Sequence, residues 1–452
     1  MINKILSAES KAFYRSLFII VAPIALQNLI TAAVGSADVI MLSYVGQTSL
    51  AAASLAGQVQ FVLLLFFVGM SSGLIMLTAQ YWGKKDTYSI ETLTGIAFKF
   101  SCTAGLIFSL AALFCPAFLM RIFTNDDAMI AEGAKYLRLV APSYFCMSLS
   151  QIYQAVFKSI EKVVVVTVIT FGALGLNIVL NALLIFGWGP FPQLGIRGVA
   201  IATSIARIVE LLACVFVASG IKSIRIVPSI LFRRNPLLFK DFFKYSMPAL
   251  GNEFVWGAAF AMYSVILGHL GEDIVAANSV VGVARNLASV LCFGMAYGGA
   301  ILLGKEMGAG NLDKASADAG RLWRSTTLAG LLGGIVIILS YPIMVRVGKL
   351  NASSIEMMRW LLLSNGASIV GAAINTVLIC GIFRAGGDAR FGFVMDSICM
   401  WCVSVPIGLI CAFVLDLPPV VVYIILYLDE FEKMPFVIHH YRSKKWLKNI
   451  TR

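Results

Sequence analysis

IALQNLITAAVGSADVIMLSYVGQTSLAAASLAGQ, residues 24–58, and FVGMSSGLIMLTAQYWGKKD, residues 67–86, form two long apolar segments meeting at a short break near Gly46. One carboxylate, Asp38, sits inside the first segment. The stretch from Arg15 to Gly83 returns, much altered, between Phe242 and Gly308. With an offset of 225 residues and no gap, Pro23 falls on Pro248, Gly46 on Gly271, and Ala51 and Ala52 on Ala276 and Ala277. Gly57, Gly69, Met70, Gly73 and Gly83 likewise fall on Gly282, Gly294, Met295, Gly298 and Gly308. Glycine marks backbone geometry that a copied fold must keep, so the offset predicts a duplicated unit.

The surrounding chain fixes the solvent. Of its 452 residues, 59% are hydrophobic and 13% charged, with a mean hydropathy of +0.88. A soluble domain is about half apolar and about a quarter charged, so this is an integral membrane protein. The apolar runs are long and lack the ~10-residue alternation of a membrane barrel, so they are helices. The first run, from Leu17, is too long for a signal-peptide core and no small-residue cleavage site follows it, so it reads as a retained helix. The net charge of +12 does not indicate nucleic-acid binding, because the basic residues lie between apolar runs rather than on a soluble module. Cys399 and Cys402 form a C-x-x-C inside the apolar run GFVMDSICMWCV and read as packing residues. His269, His439 and His440 make no metal constellation.

Twelve spans of bilayer length are expected, at 15–45, 49–81, 92–116, 130–157, 163–187, 194–219, 240–268, 274–305, 317–347, 354–384, 390–414 and 417–440. They divide into an N-lobe at 1–222, a basic linker at 223–239 and a C-lobe at 240–452 that ends in a basic tail. About 25 of the 35 Lys and Arg residues fall on one side if both termini are cytoplasmic. The opposite loops hold few, notably Arg121, Arg346 and Lys349. Both termini and the linker are therefore expected in the cytoplasm. Two six-span units inserted in series share one orientation and are related by an axis along the membrane normal. Substrate sites in such transporters lie between the halves, near mid-membrane.

No phosphate-binding loop, nucleophile elbow, zinc motif or pair of catalytic carboxylates is present, so neither ATP hydrolysis nor another enzymatic activity is expected. The informative residues are ionisable groups at membrane depth, where each costs roughly 2.5–3.5 kcal/mol without a partner. Asp38 is one. Asn177 and Asn181, in GLNIVLNALLIFG, are four apart and share a helix face. Asn181 lies about seven residues before Trp188, where that helix should end, and Thr203 lies about eight after Gly195. All four sit at one depth, roughly 10–12 Å below the outer surface. A carboxylate, amide oxygens and a hydroxyl suit an alkali cation or a proton-linked network; interhelical hydrogen bonding is the alternative for the Asn and Thr residues. In the seventh span Glu253, Trp256 and Tyr263 share roughly one face, and an anion beside aromatic rings suits a lipophilic cation. Asn28 is the counterpart of Glu253 at the 225 offset and joins it as a candidate substrate contact. Arg207 and Glu210 are three apart and should pair. Arg285 and Asp396 are deep enough either to function or to need a partner. Asp388 reads as structural.

Taken together, ADVIMLSYVG, LTAQYWGKKD, GIRGVAIATSIA, GNEFVWGAAFAMYSV and GIFRAGGDAR, in this order within two six-span lobes, resemble the multidrug and toxic compound extrusion (MATE) family over nearly the whole chain. The resemblance implies two bundles forming a V around a central cleft, and antiport in which sodium or proton entry drives export of small organic, often cationic, compounds. It also implies a coupling-cation site at Asp38, Asn177, Asn181 and Thr203. Asn181 stands where the family pattern has a carboxylate, and Glu253 lies about three residues before the family's seventh-helix acid. A monomer in the plasma membrane with no cofactor is expected. A flippase for lipid-linked saccharides, from the same superfamily, is the competing reading; it should line its cleft with basic residues.

Overall fold

The computed structural model describes residues 2–187, 189–348 and 350–452. Trp188 and Lys349, expected at the outer side, lie outside the described residues. Regular structure is helical, with no strand among the described residues. The first half contains α1 (Ile2–Ser43), α2 (Gln47–Gly83), α3 (Thr87–Phe114), the short α4 (Pro116–Arg121), α5 (Asp127–Ser159), α6 (Val163–Phe186) and α7 (Ile196–Gly220). The second contains α8 (Pro236–His269), α9 (Glu272–Gly308), α10 (Leu312–Leu339), α11 (Tyr341–Gly348) and α12 (Ala352–Thr376), which continues as a π-helix at Val377–Phe383. It ends with α13 (Ala389–Asp396), a π-helix at Ser397–Ser404, α14 (Val405–Phe413), α15 (Pro419–Leu426), α16 (Asp429–Glu432) and α17 (Met434–Arg442).

Ten helical stretches among the described residues are long and apolar enough to cross a bilayer. Two of the twelve expected segments are not among these ten. α5 is long but carries Asp127, Glu132, Lys135 and Arg138 in its first turns. The span expected at 417–440 is three short helices, α15 to α17. Its interruption has a covalent cause: Pro435 lacks an N–H, so the helix bond back to Phe431 cannot form, and the charge run Asp429–Lys433 precedes it. The expected ninth span is likewise divided after Leu339, just before Pro342.

Helix starts show how far the duplication reaches. α2, α3 and α5 begin at 47, 87 and 127; α9, α10 and α12 begin at 272, 312 and 352, each 225 residues later. Gly46 and Gly271, the repeat pair at the first turn of each half, have φ of +148° and +120°, a region open to glycine and costly for other residues.

Two compact units emerge, Leu26–Thr78 with Asp86–Phe243, and Met1–Ala25 with Ala79–Lys85 and Lys244–Arg452. Within the first, α3 packs closely on α5: Ser101 Oγ donates to Ser148 O at 2.7 Å, and a Cβ on Gly105 would strike Ser148. Small residues that let backbones approach are how helices associate in lipid, where apolar burial against a neighbour gains little over the lipid tails. The linker is pinned to α3: Glu91 accepts from Arg225 N at 2.8 Å and from Arg233 Nη1 at 2.7 Å.

In the second unit the equivalent close approach is α10 on α12, where a Cβ on Gly330 would strike Ala373. Both residues are 225 beyond Gly105 and Ser148. The last turn of α2, which belongs to this unit, crosses the last turn of α9. A Cβ on Gly83 would overlap Lys305 O, and a Cβ on Gly308 would overlap Gln80 O. Gln80 and Lys305 are themselves repeat partners, so the crossing is pseudo-symmetric. The segment after α17 lies against it. Gln80 Nε2 donates to Ala385 O at 2.7 Å and to Lys448 O at 3.1 Å, Gln80 Oε1 accepts from Ile450 N at 2.8 Å, and Trp446 is buried.

Candidate functional site

The four oxygen-bearing residues of the first unit come together as one chain of contacts. α1 supplies Asp38, α6 supplies Asn177 and Asn181, and α7 supplies Thr203. Asn181 Nδ2 donates to Asp38 Oδ1 at 2.6 Å and to Asn177 Oδ1 at 3.3 Å. Asn177 Nδ2 reaches Thr203 Oγ1 at 3.4 Å. The four-residue spacing in α6 stacks its two amides on one face. Asn181 is fully buried and Asn177 nearly so. Asn181 Oδ1 is buried with no hydrogen-bond partner. A buried acceptor left without a donor costs ~1–3 kcal/mol, and an arriving cation or acid proton would remove that cost. One carboxylate among neutral oxygens matches the charge of a monovalent ion. Sequence reasoning missed Tyr136 of α5, which is buried within electrostatic range of Asp38; no spacing pointed to it.

In α8, Trp256 and Tyr263 are linked through Phe260, with ring centroids 4.5 and 5.6 Å from the shared ring. Tyr263 is 1% exposed and belongs to the unit's core. Glu253, expected as an anion beside aromatic rings, is ion-paired. Arg384 Nη1 donates to Glu253 Oε1 at 3.0 Å and Arg384 Nη2 to Asn252 Oδ1 at 2.6 Å. Arg384, the last residue of the expected span 354–384, is itself buried at the end of the α12 π-helix and neutralises Glu253. Asn28 is half-buried in α1 and belongs to the other unit.

The remaining deep charges have partners. Arg207 Nη1 donates to Glu210 Oε2 at 2.7 Å, as their spacing predicts, and Gln154 Nε2 donates to Glu210 Oε1 at 2.9 Å. Arg285 Nη1 donates to the Tyr427 hydroxyl at 2.6 Å. Asp388 lies 2.7 Å from His440 Nε2, in keeping with a structural role. Asp396 accepts from Asn252 Nδ2 at 2.6 Å.

The chain matches the MatE family over residues 23–183 and 248–410, two blocks whose starts are 225 residues apart. It is 23% identical to the uncharacterized transporter YisQ of Bacillus subtilis, over 96% of this chain and 95% of that one. It is 21% identical to the probable multidrug resistance protein NorM of Thermotoga maritima, over 93% and 90% of the two chains. The Vibrio cholerae MATE transporter VcmN superposes with a TM-score of 0.87 at 15% identity, over 97% and 99% of the two chains; this likeness speaks to the fold.

Proposed function

We propose that this chain, which belongs to the MATE family of multi-pass membrane transporters, is a secondary antiporter that exports small organic, often cationic, compounds by alternating access, driven by a sodium or proton gradient. The observation that carries this reading is the Asp38–Asn181–Asn177–Thr203 chain with its buried acceptor, Asn181 Oδ1. A sodium ion would meet hard oxygen donors there; a proton would neutralise Asp38. The relatives named as multidrug resistance proteins support the substrate class. The deciding experiment is export of a fluorescent organic cation by inside-out vesicles under imposed sodium or proton gradients. No concentration of the cation under either gradient would refute the reading.

Substrate contacts are proposed at Glu253 and Trp256, with Tyr263 packed behind them in the core of the same unit. A cationic substrate would compete with Arg384 for Glu253. Glu253→Gln should therefore reduce export of cations well beyond export of neutral compounds. Equal loss for both classes would show that Glu253 serves only Arg384 and the fold, where breaking a buried pair costs ~3–5 kcal/mol. A flippase for lipid-linked saccharides is less favoured, because Arg207 and Arg285 are already engaged by Glu210 and Tyr427.

The same reading places both termini and the linker in the cytoplasm of a plasma-membrane monomer. Ser229 is exposed in the linker. Ser229→Cys, with the nine native cysteines replaced, should resist impermeant thiol reagents on intact cells and react once the membrane is opened. Labelling of intact cells would invert the topology.

A further inference from the structure

The unit that ends the chain holds a second set of buried charges, which the ion site around Asp38 does not use. Lys433, at the bend between α16 and α17, is 3% exposed. Its Nζ lies 3.2 Å from Asp396 Oδ1, 3.3 Å from Glu430 Oε1 and 3.5 Å from Asp429 Oδ2. Asp396 and Asp429 are 6% and 2% exposed. The second oxygens are held from outside: Asn252 Nδ2 donates to Asp396 Oδ2 at 2.6 Å and Asn375 Nδ2 donates to Glu430 Oε2 at 2.8 Å. Asp429 Oδ2 is buried and has no other hydrogen-bond partner.

An ammonium carries three donors, and here three carboxylates converge on one. A structural ion pair needs a single acid, and each additional buried carboxylate adds desolvation cost and mutual repulsion. The acids come from the α13 end and from α16, and amides on α8 and α12 orient two of them, so the nest is assembled from four separate helices. We propose that this nest is a binding site for a small primary ammonium and that Lys433 is its tethered occupant. The chain thus supplies its own cation here, and the side chain of Lys433 keeps out an external one. The inference deepens the antiport reading by confining the exchangeable ion to Asp38, and it rests on that reading only in this respect.

The test is made on the purified full chain carrying Asp38→Asn, which silences the proposed ion site. Failure of the inference is then separate from failure of the antiport reading. Thermal unfolding of this parent and of the parent with Lys433→Ala is compared in tetramethylammonium chloride and in ethylammonium chloride of equal ionic strength. Removing the side chain back to Cβ leaves room for ethylammonium, whereas the quaternary ion has no N–H to donate. The alanine variant should unfold below the parent in tetramethylammonium and recover by about 4 °C in ethylammonium, while the parent does not move. Equal melting in the two salts would overturn the proposal. If the alanine variant is not obtained folded, Lys433→Gln is measured: with similar reach and no charge, it must also melt well below the parent. A glutamine variant as stable as the parent would show that the carboxylates need no cation, and would overturn the proposal equally.

Discussion

Asp38→Asn is expected to abolish gradient-driven export while leaving substrate binding intact. The substitution keeps an acceptor oxygen where Asp38 now receives Asn181 Nδ2, so the contact between α1 and α6 survives. It removes the charge. Alternating access needs the ion and the substrate to favour different states of one bistable protein. A carboxylate at this depth costs ~3 kcal/mol when unpaired, and its neutralisation is the differential energy the ion can contribute. Losing that term weakens the population shift by roughly a hundredfold, at about 1.4 kcal/mol per factor of ten. The measurement is uptake of a fluorescent cation by inside-out vesicles with an imposed sodium or proton gradient, alongside direct binding of the same cation to purified protein. Asn181→Asp should act in the opposite sense: a second acid beside the first strengthens sodium dependence. Vesicles carrying Asp38→Asn that still concentrate the cation under either gradient would remove Asp38 from the coupling role.

The cluster of Asp38, Asn177, Asn181 and Thr203 was legible from sequence although Asn181 lies 143 residues from Asp38, because depth in the helices and the family resemblance both single out these four. Asn177 and Asn181 share a helix face through a four-residue spacing, and the matching depths of Asp38 and Thr203 follow from rise per residue. The partner of Glu253 was not, because Arg384 ends its expected span with no depth or spacing to match Glu253, and nothing in a linear reading shows which buried acid a guanidinium will reach. Lys433 falls inside the expected span 417–440 with Asp429 and Glu430 one turn before it, but its third partner, Asp396, lies 37 residues earlier and on another helix. The duplication was visible from 242 to 308 through shared glycines. Further along, Thr87 and Leu312, or Asp127 and Ala352, share no residue type. There identity is sparse, surviving at pairs such as Gly105 and Gly330, and the fuller record of the copy is helix register.

The glycines that are shared divide into two kinds, and the difference is open to measurement. Gly83→Ala and Gly308→Ala are expected to destabilise the fold strongly and to similar degrees. In each case the new methyl would overlap a backbone carbonyl, Lys305 O or Gln80 O, and a backbone atom inside two packed helices cannot turn aside as a side chain would. Overpacking of a core costs ~1–3 kcal/mol when side chains can adjust; against backbone the upper end or beyond is expected. Gly57→Ala and Gly282→Ala form the control, since these glycines are repeat partners in the same two helices. A Cβ on Gly57 meets nothing within 4 Å, and one on Gly282 meets only the tip of Arg285 at 4.0 Å. There the alanine should be neutral or stabilising by up to about 1 kcal/mol, because glycine is the poorer helix former. Thermal unfolding of the four single variants in detergent separates the cases. Gly83→Ala or Gly308→Ala melting within a degree or so of the controls would mean that α2 and α9 do not cross through these glycines. Matched losses at 83 and 308, with none at 57 and 282, would show that the duplication preserved a helix crossing where glycine is required by contact and kept the other pair without that constraint.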